Sequence, residues 1–543
     1  MVTIQKSRLF RMNYVVGIML VVFSVIAAGC SNNANVEGNK TNASTEPAST
    51  ATSQEEDPFK EHMEISVGIW GITDDAVNVE KDALVAEISK KLNITLVAKP
   101  LTFDDYTQKI SLWVASGQLP DIFAIDAVGS INRSKWINEG IVRSLPDDLS
   151  KYPNLDEVMK IEDIDALKVN DKQYNVPRLT WSTLQHNAKD RFIIYRWDWA
   201  QSLGITKEPE TYDEFAAMIK AMVEKDPEGK KTTGLTTRQK TFLGDLWLPY
   251  NPAVISDGSG TDFKWIKEND KFIPALFSTK TLDGLKAIKG MFEQNIIDKD
   301  VALLKTGEGD DKFYSGRAAA LITNGIAATN FNKVYPDKKA EESIKILKLW
   351  PDADGVRYQP TFKTYWSESY FSAKVDDKKM ERIMALYDYL LSPEGKDLYR
   401  YGIEDVDYTK KDGQIVLNEG VDLNKKYPSI ASLKMLASFD GDFELDPNTP
   451  PNRNNPTQQL LIDYVNWSKQ STKIPEFDFR LSYMSTPTKD KFSITDVDDL
   501  IQVVLSKEPV EDAWNEIVKK YENKGLSKMI EEVNAKAAEQ GIK

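Results

Sequence analysis

The chain has 543 residues, 41% of them apolar and 28% charged, which allows a well-filled core and excludes wholesale disorder. Acids outnumber bases 83 to 69, for a formal charge of −14, and this excludes a general nucleic-acid binder, which needs basic patches to neutralise phosphates. One cysteine, Cys30, excludes an intrachain disulfide and a cysteine-based zinc site, and two histidines, His62 and His186, leave little imidazole for metal binding or acid–base work.

At the N-terminus, Lys6, Arg8 and Arg11 precede the apolar run 14–28. A run that short fits a secretory h-region and not a spanning helix, which needs ~20 residues. It closes on Ala27-Ala28-Gly29-Cys30, which looks like a bacterial lipobox with Ala27 where Leu is usual. Residues 1–29 are therefore expected to be a lipoprotein signal peptide, with Cys30 the lipidated residue. A two-chain lipid would hold the protein stably on the extracellular face of the cell membrane. Residues 30–57 are Ser, Asn, Thr, Ala and Glu with almost nothing apolar, and are expected to form a flexible tether.

Residues 64–70 alternate, with Ile65, Val67 and Ile69 on one face, and predict a strand. Val79, Leu84, Val85, Ile88 and Leu92 recur at helical spacing, and 94–98 is a second strand. Tyr106, Ile110, Trp113 and Val114 mark a second helix that Gly117 can cap in the left-handed conformation, before a third strand at 121–125. This β-α-β-α-β order predicts a parallel sheet with right-handed crossovers. In such sheets ligands bind beyond the carboxyl ends of the strands, where Trp70 and Asp126 stand. Farther on, Thr211-Tyr212-Asp213-Glu214 is a capping-box pattern opening a helix with the stripe Phe215, Met218, Ile219, Met222 and Val223. Residues 279–292 predict a helix and 318–323 a buried strand. Val510, Trp514, Ile517, Tyr521 and Met529 carry the helical period to the C-terminus, and the Pro/Asn-rich stretch 446–456 predicts a loop. Strands and helices alternating twice over point to two α/β lobes.

Several motifs resemble extracellular solute-binding proteins of bacterial ABC importers, of the family 1 carbohydrate type and its large lipoprotein branch. Ser116-Gly117-Gln118-Leu119-Pro120-Asp121-Ile122 resembles the family's S-G-x-x-P-D-I segment, and Tyr174-Asn175-Val176-Pro177 its Y-x-L-P turn. Tyr195-Arg196-Trp197-Asp198-Trp199 with Leu203-Gly204-Ile205 resembles Y-R-x-D-W…L-G-I. Pro209 to Phe215 resembles P-x-T-x-x-E-F, and Phe313 to Ala319 resembles F-x-x-G-x-A-A. The resemblance implies a two-lobed, type II periplasmic-binding-protein-like fold with a hinge and an intervening ligand cleft, across residues 58–543. Lobe I is expected at 58–178 plus 325–375, and lobe II at 179–324 plus 376–543. It also implies capture of a carbohydrate, here an oligosaccharide given the size of the lobes, by lobe closure. Delivery to ABC permease subunits with a separate ATPase follows from the same resemblance; a monomeric chain is the default expectation, and no cofactor is expected. A peptide or other polar solute is the alternative cargo, and a surface glycosidase or adhesin a more distant one. One departure concerns a calcium loop that many relatives carry after the helix corresponding to 212–225. Here Asp226-Pro227-Glu228-Gly229-Lys230-Lys231 supplies two acids and then two lysines, so no calcium is expected there, since calcium takes six to eight oxygens.

Sugar sites stack apolar ring faces on aromatics and satisfy hydroxyls with carboxylates, amides and guanidinium groups. The candidates are Trp70 and Asp126 at strand ends, Arg178 and Trp181 after the Pro177 turn, Trp247 in a Gly/Pro-bounded segment, Asn324 at a strand end, and Trp366 and Glu368 after an extended run. Trp197, Trp199 and Trp514 sit on helical stripes and are assigned to packing. No catalytic or metal-binding residue is assigned. The chain lacks G-x-S-x-G, H-E-x-x-H and G-x-x-x-x-G-K-[ST] patterns, and His186 stands alone. A glycosidase would need only two carboxylates, which 83 acids leave open.

Overall fold

Ile122–Ile125 (IFAI) and Ala318–Thr323 (AAALIT) are apolar almost throughout because each runs through the interior of a sheet and is buried on both faces. The computed structural model describes residues 59–543 apart from 103, 239, 255–262 and 451. The expected signal peptide, Cys30 and the tether lie outside the described residues. In chain order the strands are β1 (Met63–Gly68), β2 (Ile94–Ala98), β3 (Ile122–Ile125), β4 (Asn175–Leu179), β5 (Phe192–Arg196), β6 (Thr233–Thr237) and β7 (Trp265–Glu268). They continue with β8 (Lys271–Pro274), β9 (Ala318–Thr323), β10 (Ile344–Ile346), β11 (Tyr365–Phe371), β12 (Tyr408–Lys411) and β13 (Gln414–Leu417).

The five-stranded sheet has the order β2-β1-β3-β11-β4 and the four-stranded sheet β10-β5-β9-β6, while β7–β8 and β12–β13 form two-stranded sheets. β1 pairs in parallel with β2 and β3, as the predicted β-α-β-α-β order requires. β11 inserts between β3 and β4 and runs antiparallel to both, because it arrives from the other sheet. Local signals place the helices. Asp82 caps Ala83–Leu92 by accepting from the backbone N–H of Leu84 (3.0 Å) and Val85 (3.2 Å). Gly117, at φ 65°, ends Tyr106–Ser116. Thr211 and Glu214 exchange their capping-box bonds at the start of Tyr212–Lys225.

The cores divide differently from the predicted lobe boundaries. β10 pairs with β5 in the second sheet, so 344–346 leaves lobe I. Met380, Tyr387, Tyr399 and Leu433 pack in the first core with Ile65 and Val176, so much of 376–437 leaves lobe II. Polar ties fix these helices: Arg382 donates to the carbonyl of Asn93 (3.1 Å), and Ser429 N donates to the cap residue Asp82 (2.8 Å). Alternation of element types specifies that helices cover a sheet but not which of two sheets, and that is the physical reason for the difference. Residues from 456 onward mostly return to the second half, with Leu461 beside β5 residues and Trp514 and Tyr521 in the core that holds Leu235, while Tyr483 packs on the first core.

Three chain segments cross between the sheets and hydrogen-bond to one another. Leu179 N donates to Ala437 O (3.2 Å), Phe439 N to Leu179 O (2.8 Å) and Gly441 N to Thr180 O (3.0 Å). Thr180 N and Trp181 N both donate to Thr364 O, at 2.8 and 2.9 Å. The buried carboxylate of Asp163 then holds Thr364 by its N–H (2.6 Å) and hydroxyl (2.8 Å).

Candidate functional site

Trp70 lies two residues past the end of β1, bridged to Leu101, with Gly71 at φ 73° turning the chain away. Its ring is 2% exposed and meets Tyr106 edge-on at 5.0 Å. On its face it stacks against Trp366, with ring centroids 5.3 Å apart and 18° between planes. Trp366 stacks in turn on Phe439 at 5.7 Å and 21°. The guanidinium of Arg178 sits against all three rings, 3.8 Å from the centroid of Phe439, 4.3 Å from Trp366 and 5.6 Å from Trp70. It also donates to the Trp366 carbonyl at 3.1 Å and to the sulfur of Met435. Burial holds the Arg178 guanidinium below its ordinary pKa, while the charges of Glu368 and Asp126 act the other way.

Trp366 is 37% exposed although its neighbours Tyr365 and Ser367 are buried. A break in the β11–β4 register between Tyr365 and Glu368 accounts for this, with Ser367 at φ 71°. A left-handed non-glycine residue in a bulge re-aims the adjacent side chain, at a backbone cost of about 1–2 kcal/mol. The result is one indole partly presented to solvent, with two rings stacked on it and a cation against it. Stacked pairs contribute ~0.5–1.5 kcal/mol each beyond area burial, and a desolvated cation over a ring up to ~2 kcal/mol.

Asp126 follows β3 with its side chain 29% exposed and the ammonium of Lys363 at 3.7 Å. Glu368 belongs to the same edge, but it is fully buried. One carboxyl oxygen accepts from Ala127 N (2.9 Å), Val128 N (2.6 Å) and the Tyr370 hydroxyl (3.0 Å). Burial, with the Asp126 charge next, pushes its pKa up to about 7. Glu368 thus positions the loop after β3, and its expected role as a ligand contact is corrected.

The structure brings Trp70, Arg178, Trp366, Glu368 and Asp126 to one edge, where the carboxyl ends of β1, β3 and β4 meet the start of β11. Trp181 belongs to the hinge instead: it is 5% exposed, pressed against Gly441, with the Lys189 ammonium 5.2 Å from its ring centre. Asn324 ends β9 on the second sheet, half-buried, its amide oxygen accepting from Ile326 N at 3.4 Å. Lys189 passes close to the adjacent Gly325, which sets Asn324 beside the hinge. Trp247 is corrected outright. It is 2% exposed in the second core, and its ring lies so close to Gly284 that a side chain there would collide with it. Phe439, Tyr106 and Lys363 were not foreseen. Phe439 arrives on a crossing segment without periodicity, and only its place beside the Asp440-Gly441-Asp442 turn hints at a bend.

The loop 226–232 is closed on itself. Asp226 accepts from Lys230 N (3.0 Å), Lys231 N (2.9 Å) and Thr232 N (3.2 Å), and from the Thr232 hydroxyl (2.7 Å). The Lys230 ammonium reaches Glu228 at 2.9 Å. Its acids are thereby engaged by the protein's own donors.

The family described as bacterial extracellular solute-binding protein matches residues 78–397. The chain belongs to that family. It is 22% identical over 470 residues to the polygalacturonan/rhamnogalacturonan-binding protein YtcQ of Bacillus subtilis (strain 168), covering 83% of this chain and 87% of that one. It is 26% identical over 344 residues to lipoprotein LipO of the same organism, covering 61% and 64%. Among solved structures, the alginate-binding protein AlgQ2 without calcium ion matches with a TM-score of 0.63 at 19% identity, over 88% of this chain and 98% of that one. The substrate-binding protein FusA of S. pneumoniae in complex with kestose matches with a TM-score of 0.63 at 15% identity, over 88% and 99%. At such identities these structures show the fold alone, the two-lobed solute-binding-protein fold. This solute-binding protein therefore places its stacked aromatic edge where the two lobes join.

Proposed function

We propose that this solute-binding protein is a membrane-tethered receptor that captures an oligosaccharide on the Trp366 platform and passes it to an ABC importer. The observation that carries the reading is the half-exposed indole of Trp366, backed by Trp70, Phe439 and Arg178 at the carboxyl edge of the first sheet. A flat aromatic face suits the apolar face of a sugar ring, and Asp126 beside it offers an acceptor for hydroxyls. The names of YtcQ and of the FusA–kestose complex support a cargo of linked sugars. Asn324 and Trp181, on the hinge side of the second lobe, are assigned to the closing face and its support.

Ligand bridging both lobes would drive closure, and swinging the population from 1:99 to 99:1 takes about 5.5 kcal/mol of preference for the closed form. The closed form then docks on permease subunits served by a separate ATPase. Lipid on Cys30 holds the monomeric chain at the membrane, a reading supported by the name of LipO. The reading assigns no catalysis: Glu368, the carboxyl nearest Asp126 in charge and raised in pKa, is sealed from solvent and cannot reach a glycosidic oxygen.

Thermal unfolding screened against oligosaccharides and peptides tests the proposal. Ligand at 100 times its dissociation constant adds ~2.7 kcal/mol of stability. A sugar-selective rise is expected, and a response to peptides alone would overturn the reading.

A further inference from the structure

At the far end of the second sheet from the platform lies a cavity of about 580 Å³, lined among others by Lys230, Lys231, Lys299, Lys312 and Arg317. Two of these cations are already matched. Lys312 lies 2.7 Å from Asp298 and 2.8 Å from Asp300, and Lys230 is held by Glu228 at 2.9 Å and the Ser315 carbonyl at 2.9 Å. Lys231, Lys299 and Arg317 have no acidic partner among the described residues, and Arg317 donates only its Nε to Ser315, at 2.9 Å.

These three come from separate segments that the backbone locks together. Thr233 pairs with Ala318 in the parallel β6–β9 ladder, and Thr233 N donates to Arg317 O at 2.9 Å. Lys231 precedes β6 on the loop that Asp226 closes, and it is itself held at φ 60°. Lys299 follows Asp298, whose N–H donates to Leu235 O at 2.8 Å. Like charges set around one cavity repel, and in a chain of net charge −14 such an excess has no source in the general surface composition. An anion of more than one charge would relieve the repulsion.

We propose that this cavity binds a multiply charged phosphate group. Two ammonium groups act as point charges approached from different sides, and a tetrahedral phosphate presents oxygens to several sides at once, with Arg317 left to pair in its plane. A planar monocarboxylate would answer one cation. β9 runs from Arg317 to the hinge edge, about 20 Å at ~3.3 Å per residue, so the site is separate from the sugar platform and does not depend on that reading. The phosphate is either a free ion or a terminal phosphomonoester, each of which carries close to two charges at neutral pH.

Titration calorimetry on the full chain with inorganic pyrophosphate, glycerol 3-phosphate and citrate tests this. Pyrophosphate binding identifies a free ion, and binding of glycerol 3-phosphate alone identifies a phosphomonoester; both support the site. Lys299→Gln should weaken binding roughly tenfold, and the triple change Lys231→Gln, Lys299→Gln, Arg317→Gln by ~100-fold or more. All three side chains are exposed, so the variants should unfold at the temperature of the parent. The proposal is overturned if neither phosphate binds, if affinity survives the triple change, or if citrate binds as tightly as pyrophosphate.

Discussion

Replacing Trp366 with alanine separates a ligand platform from a packing residue. The ring is 37% exposed, so of a side chain burying up to ~250 Å², roughly 90 Å² remains for a ligand to cover. At ~25 cal/mol per Å² that area is worth about 2 kcal/mol, or about 30-fold in dissociation constant. The same change removes stacking on Trp70 and Phe439 and the contact with Arg178, a stability loss of about 2–4 kcal/mol. Both quantities are measurable on one preparation, by calorimetric titration with the oligosaccharide found in the thermal screen and by denaturant unfolding. Trp366→Phe, which keeps a smaller face in the stack, should recover part of each. If stability falls as expected while affinity stays within about twofold, Trp366 is packing, and the platform argument fails.

Glu368, raised to about 7 chiefly by burial from an ordinary 4.5, keeps a proton in the folded state that the unfolded chain releases. Its contribution is fully present below about pH 4.5 and is lost as pH rises to about 7, on the order of 3 kcal/mol, and the buried Asp245, also raised to about 7, acts in the same direction. Glu368→Gln should therefore flatten the decline of melting temperature over that window, and an unchanged slope would count against it. Trp247→Ala, in the second core, should cost about 3–5 kcal/mol by denaturant unfolding and leave sugar affinity untouched; weaker binding at unchanged stability would return Trp247 to the site. Calcium or a chelator should leave the melting temperature of the full chain where it was, because Asp226 and Glu228 are already engaged by Lys230, Lys231 and Thr232. A calcium-dependent rise abolished by Asp226→Asn would refute that account.

Much of the fold was legible because its signals are local. Alternation in β1, the cap at Gly117 and the Thr211 capping box each depend on residues within a few positions of one another. The ends of β1 and β3 likewise pointed to Trp70 and Asp126. What was not legible depends on contacts between distant segments. Trp247 looks like a loop aromatic between Gly244 and Pro249, and only Gly284, a glycine inside a helix, signals the ring packed against it. Glu368 has the composition of a ligand contact, yet its burial follows from the loop after β3 folding over it. Phe439 lies 73 positions beyond Trp366 and meets it only because the crossing segments pair.

That pairing gives the site its place in the molecule. Each ring or cation of the platform, apart from Trp70, is a near neighbour of a hinge hydrogen bond. Arg178 precedes Leu179, which bonds Ala437 and Phe439; Trp366 comes two residues after Thr364, which bonds Thr180 and Trp181; Phe439 itself donates to Leu179. Any rotation of one lobe on the other must be absorbed in the dihedrals of these same short segments, since the sheets on either side are buried and resist bending. The spacing of Trp366, Phe439 and Arg178 is therefore tied to the hinge angle. On the proposed reading, a ligand lying on Trp366 would favour one spacing of the stack and so one angle, which is the differential affinity that closure requires. Asp163, buried under Thr364 and accepting both its N–H and its hydroxyl, anchors the first lobe's side of this linkage.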